Sequence, residues 1–135
     1  MYELILASQS PRRKKILEEA GYQFRTYPIE VSEILNKNLN LPQQISDCAR
    51  QKVLAAADRL KSSDSNDLIV LGADTVVVFD GQVLGKPKSP AQARSCLSQM
   101  SGKSHDVITG FCLWNKREDC FKLGHDLTQV NFRKL

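Results

Sequence analysis

The stretch Leu68–Lys86, "LIVLGADTVVVFDGQVLGK", decides the fold. It reads as almost all β: a buried run, a break at Gly72 to Asp74, a second run, and Asp80-Gly81 as a tight hairpin turn. A hairpin at that place rules out an all-parallel sheet. Asp74 is the odd residue within the stretch, because it separates two runs that would otherwise make one buried segment, and an ionised carboxylate there needs a partner. Two readings stand for it. One is a turn-former with an Asx hydrogen bond; the other is a carboxylate at a strand end that ligates a divalent cation or acts as a base toward water.

Upstream, a long helix is expected from about Pro42, with Ile45, Ala49, Val53, Ala56 and Leu60 recurring at three- and four-residue spacing, and "KSSDSND" ends it as a solvated loop. Lys52 stands in that apolar stripe. It is either a lysine snorkelling from the stripe's edge or one pointing into a cleft toward phosphate. Lys86, just beyond the hairpin and held by Pro87, invites the same two readings. Glu30 and Glu33 are either plain loop acids or the second carboxylate that a metal site needs.

At the chain's start "ELILA" (residues 3–7) reads as a strand, followed by a small-residue turn and a helix over Pro11–Ala20. Ser10 is a good N-cap, Pro11 suits the first helical position and Gly21 is a stop. Arg12 and Arg13 in the first turn are set against the helix dipole, at about 0.3–1 kcal/mol each. A solvated basic turn paired with Glu18, Glu19 or another surface carboxylate is one explanation. The other is an anion site, in which free N–H groups of the helix start and two guanidinium groups surround a phosphate. There is no GxxxxGK[ST] pattern, so this is not a Walker-type loop.

"YQFRTYPIEV" (residues 22–31) reads as a second strand, Ser89-Pro90 as the start of a helix running to about Met100, and "HDVITGFCLW" (residues 105–114) as a strand. "NKRED" is a turn, and "CFKLG" and "LTQVNF" read as two further strands. The expected fold class is therefore α/β, a mixed β-sheet with flanking helices, in a single domain over residues 1–135.

The 135 residues are 41% hydrophobic, with 19 Lys and Arg against 15 Asp and Glu and a formal charge of +4. That balance suits a phosphate-bearing ligand and is too weak to argue for nucleic acid. Tyr22, Phe24, Tyr27 and Trp114 are explained as core or strand residues rather than a base-stacking platform. Cys48, Cys96, Cys112 and Cys120 form no CxxC pair and have no His at metal-ligand spacing, which argues against structural zinc. With no signal-peptide pattern and no apolar run long enough to span a bilayer, reduced thiols, a cytoplasmic setting and no membrane partner are expected.

An arginine pair at a helix start, two lysines and at least two carboxylates are the parts for metal-assisted attack on a nucleotide phosphate chain. "LASQSPRR", Lys52 in "ARQKVLAAA", "GADTVV", "LGKP" and "LSQMSGKSHDVITG" together resemble the Maf family of nucleoside triphosphate pyrophosphatases, related in fold to the inosine triphosphatase group. The resemblance implies hydrolysis of a nucleoside triphosphate to the monophosphate and pyrophosphate with a divalent cation, Mg or Mn. By the same resemblance Asp74 is the proton acceptor, Ser8, Arg13, Lys52 and Lys86 match phosphate-binding positions, and Glu33 with Asp74 matches the metal acids. Arg12 and Thr75, in "SPRR" with "ADT", resemble the branch acting on dTTP and UTP. Family members continue beyond "VNFRKL" into a segment with an "AYGIQG"-like motif that has no counterpart here. The expected domain is thus incomplete at its C-terminus, and a non-catalytic nucleotide-binding or partner-binding remnant is the alternative to an enzyme. The family's habit and an exposed C-terminal strand edge both suggest a homodimer.

Overall fold

A computed structural model of the chain describes residues 2–31, 36–62, 66–84 and 88–134. The elements in order are β1 (Glu3–Leu6), α1 (Pro11–Glu19), β2 (Phe24–Thr26), α2 (Leu41–Leu60), β3 (Leu68–Phe79), β4 (Gln82–Leu84), α3 (Pro90–Met100), β5 (Ser104–Asn115) and β6 (Cys120–Asn131). The strands form one sheet in the order β2-β1-β3-β5-β6, with β4 also on β3. β1 runs parallel to β2 and β3, whereas β3 is antiparallel to β4 and β5, and β5 to β6. The mixed sheet with flanking helices is the architecture expected from the alternation of elements.

The core lies between α2 and one face of this sheet. A capping box between Asn40 and Gln43 starts α2, with Pro at the first helical positions. Its stripe buries Ala49, Val53, Ala56, Ala57 and Leu60 against Ile5, Leu68, Val70, Cys112 and Trp114. Each fully buried Val, Leu or Ile side chain among these contributes about 1.5–3 kcal/mol. Two glycines set how closely α2 approaches. A Cβ on Gly72 would stand 2.6 Å from Val53 Cγ2, and one on Gly110 would stand 2.6 Å from the Ile45 carbonyl oxygen and closer still to the Ser46 nitrogen.

Gly72 therefore serves the helix above it rather than a turn, which corrects the expected break at Gly72 to Asp74. β3 runs unbroken, pairing Gly72 with Cys112, Ala73 with Phe111 and Asp74 with Gly110. Asp74 is a strand residue, and the Asx-turn reading falls. The same physics joins the two expected strands after "NKRED" into the single strand β6. Gly124 stays extended opposite Phe111, whose ring lies where a Cβ would be. β2 is shorter than its sequence pattern, ending at Thr26 ahead of Pro28, which has no N–H for a ladder.

The punctuation follows the sequence. Asp80 (φ 53°) and Gly81 (φ 76°) both take the left-handed conformation that a two-residue hairpin requires. Ser10 caps α1 by accepting from the Arg13 N–H at 3.3 Å, and Ser89 caps α3 by accepting from the Gln92 N–H at 3.1 Å. Neither helix adds much to the core, since α1 buries no residue and α3 buries only Met100. Among the described residues no helix is long and apolar enough to cross a membrane.

Gly110→Ala is expected to force α2 off the sheet and cost about 1–3 kcal/mol, the usual penalty of overpacking. Urea unfolding measures it; an unchanged midpoint would show that the helix does not press on this glycine. Burial pushes the Cys112 thiol up from 9.0 to about 11, partly offset by Arg50. The associated stabilisation is fully present below the unfolded thiol's pKa and is lost as pH rises through the folded value. Iodoacetamide at pH 8 is accordingly expected to leave Cys112 unmodified in the native protein and to modify it in urea, with peptide mass spectrometry as the readout.

Candidate active site

The site forms where the sheet has an opening. β1 pairs with β3 over Leu68–Leu71 and β4 pairs with it over Val77–Phe79. Both lie on the side of β3 away from β5, which pairs along Ile69–Val78. Between them, at residues 72–76, no strand among the described residues covers that edge. The chain leaving β1 and the start of α1 meet α2 at this gap. A cleft of about 880 Å³ results, lined among others by Ser8, Arg13, Lys52, Asp74, Thr75 and Thr109.

From the α1 side, buried Ser8 accepts a hydrogen bond from the Ser10 N–H at 3.1 Å, which fixes the turn ahead of the helix. Arg13 reaches away from its helix: its Nη1 makes a long 3.5 Å contact with Ser8 Oγ, and its Nη2 donates to Thr75 Oγ1 at 3.1 Å. Glu18 and Glu19, the acids that a solvated basic turn would use, pair instead with Lys14 and Lys15. Those exposed i,i+4 pairs contribute only about 0.3–0.5 kcal/mol. They nevertheless occupy the acids, and Arg13 is directed into the cleft. Arg12 is exposed and lines it too.

From the α2 side, Lys52 does not snorkel to water. Its Nζ lies 3.3 Å from Asp74 Oδ1 and 3.4 Å from the Ala73 carbonyl oxygen, and both side chains of the ion pair are only 17% exposed. The alternation of β3 places Asp74 on the α2 face, next to Gly110, and Thr75 on the opposite face. The uncovered strand edge lets groups from both faces meet. Among the described residues Arg12, Arg13 and Lys52 outnumber Asp74 in the lining, which favours an anion.

Thr109 escaped the sequence reading. Its hydroxyl lies 3.1 Å from that of Thr75, and only the register of β3 with β5 brings the two together. Of the residues singled out from sequence, Ser8, Arg12, Arg13, Lys52, Asp74 and Thr75 converge on this cleft. Glu33 and Lys86 lie outside the described residues. Glu30 is exposed and does not line the cleft. Among the described residues no three His, Cys, Asp or Glu side chains cluster as a metal cage would.

The Maf model, described as "Maf-like protein", matches residues 3–135. The chain belongs to the Maf family. Its relatives include a dTTP/UTP pyrophosphatase of Bdellovibrio bacteriovorus, 49% identical over 132 residues that make up 98% of this chain and 69% of the relative. A dTTP/UTP pyrophosphatase of Chlorobium phaeovibrioides is 44% identical over 82% of this chain and 56% of its own, and one of Pyrococcus abyssi is 44% identical over 98% and 66%. This Maf chain thus spans between about half and two thirds of the length of these curated relatives. In fold it resembles a HAM1 protein from Coxiella burnetii, with a TM-score of 0.54 at 16% identity over 97% of this chain and 73% of that one.

The two cations differ in what their removal does to folding. Arg13→Ala is expected to change stability by less than about 0.5 kcal/mol, because the contacts it loses lie at the surface. Lys52→Ala leaves the half-buried Asp74 carboxylate without its partner and is expected to cost about 1–3 kcal/mol. Denaturant midpoints of both variants, measured side by side, check the contrast; equal midpoints would place Lys52 and Asp74 in solvent.

Proposed function

We propose that the cleft binds a nucleoside triphosphate and hydrolyses it to the monophosphate and pyrophosphate, with dTTP or UTP as substrate. The observation that carries this reading is the convergence of Arg13, Lys52, Ser8 and Asp74 on one cleft, with Lys52 paired to Asp74. The cations hold the phosphate chain, and Ser8 adds a hydroxyl at the turn before α1. Asp74 takes a proton from the water that attacks the α-phosphorus as the bond to the departing pyrophosphate breaks. Charge grows on oxygens that already face fixed positive groups, so little reorganisation accompanies the step. The names of the relatives support a pyrimidine triphosphate, and Arg12 and Thr75, whose motifs resemble the branch acting on dTTP and UTP, both line the cleft.

A divalent cation, Mg or Mn, belongs to the same reading. The described residues offer one carboxylate rather than a cage, which suits a magnesium-like ion that keeps waters and takes its remaining ligands from substrate phosphates. Asp74 would hold it, and when bound it would supply Lewis-acid stabilisation of the phosphoryl oxygens. The outer edge of β6, without a partner strand among the described residues, supports a homodimer as the assembled form.

Asp74→Asn keeps the size of the side chain and removes its charge. Pyrophosphate release from dTTP or UTP is expected to fall by about 10²- to 10⁴-fold, as for a lost general base. Nucleotide binding should survive. Release and thermal midpoint are to be measured on one preparation, and a destabilised but fully active variant would falsify the catalytic role. Tight binding without release by the wild-type chain would instead identify a nucleotide-binding protein without turnover.

A further inference from the structure

Thr109 has no part in the mechanism above, yet it sits in the cleft wall on a connected set of hydrogen bonds. It stands directly opposite Thr75 in the β3–β5 ladder, with the two hydroxyl oxygens 3.1 Å apart. Thr75 Oγ1 is also the acceptor for Arg13 Nη2, again at 3.1 Å. A threonine hydroxyl carries one proton and two lone pairs. When Thr75 gives its proton to Thr109, its lone pairs are turned toward the guanidinium, and donation in one direction strengthens acceptance in the other. Thr109 itself is β-branched, so strand backbone and χ1 preference hold its hydroxyl in few orientations.

Arg13 needs such a tether. It extends from α1, a helix that buries none of its residues, and a guanidinium on a long flexible stem binds a phosphate less well the more its rotamers are spread. We propose that Thr109 is a positioning residue: through Thr75 it holds the Arg13 guanidinium in the orientation that receives the phosphate chain. This rests on the triphosphate-binding reading given above. A cross-strand threonine pair that merely packs the sheet is the competing explanation.

The test is equilibrium titration of the full chain with a non-hydrolysable α,β-imido analogue of dTTP in the presence of Mg, which reads binding without turnover. Arg13→Ala is expected to weaken binding by about 10- to 100-fold, the worth of charge-assisted hydrogen bonds. Thr109→Val, which keeps shape and β-branching, is expected to weaken it by about 3- to 10-fold with an unchanged thermal midpoint, and Thr109→Ser to restore it to within about twofold. The double variant Arg13→Ala/Thr109→Val should bind like Arg13→Ala alone, since residues acting through one another are not additive. Additive losses, failure of Ser to rescue, or wild-type affinity in Thr109→Val would overturn the positioning role while leaving the triphosphate site intact. Absence of any effect of Arg13→Ala, or of any binding by the wild type, would overturn the triphosphate reading and this inference with it.

Discussion

Everything in this structure follows from how closely α2 can lie on the sheet. Two missing side chains, at Gly72 on β3 and Gly110 on β5, bring the helix backbone down to van der Waals distance over the middle strands. The same approach sets the reach of Lys52, which stands three residues beyond Ala49 and one before Val53, both of them buried against the sheet. A lysine at that height reaches Asp74 and the neighbouring Ala73 carbonyl, where a more distant helix would leave it in water. Packing and electrostatics are therefore one constraint here. The core sets the separation at which the ion pair forms.

The second determinant is the interval along β3 between its two short neighbours. β1 ends its pairing at Leu71 and β4 begins at Val77, so part of one edge of β3 is left to side chains. Asp74 and Thr75 point to opposite faces there, as adjacent strand residues must. In a fully flanked strand they would belong to separate environments. At an uncovered edge they are approached together, Asp74 by Lys52 from α2 and Thr75 by Arg13 from α1.

Much of this was legible in the sequence because local chemistry agreed with tertiary structure. Ser10-Pro11, Ser89-Pro90 and Asp80-Gly81 have conformational preferences that the fold uses unchanged, and the stripe of α2 announced its buried face. Glycine misled where its role was steric rather than conformational. Gly72 was read as part of an interruption, yet it is an extended strand residue that makes room for α2, as Gly124 makes room for the Phe111 ring. Ser8, Arg12, Arg13, Lys52 and Asp74 could be singled out from residue type and position, whereas Thr75 entered only through the family resemblance. Thr109 could not be singled out, because its partnership with Thr75 exists only once the register of two distant strands is set.

The exposure of α1 has a consequence for energy as well as geometry. With no buried side chain, its order rests on the Ser10 cap, two surface ion pairs and the contacts of Arg13, so its opening free energy lies toward the low end for this molecule. A helix held this lightly is a conformational reservoir joined to the cleft through the side chains that line it, Arg12 and Arg13 among them. Any anion that grips Arg13 must also restrict α1. Part of the interaction energy is then converted into order of the N-terminal region, and affinity becomes coupled to the helix–coil balance of a segment outside the core. Changes that raise the intrinsic helicity of α1, on its solvent side and away from the ligand, act on binding by lowering the cost of ordering the helix rather than through a new contact.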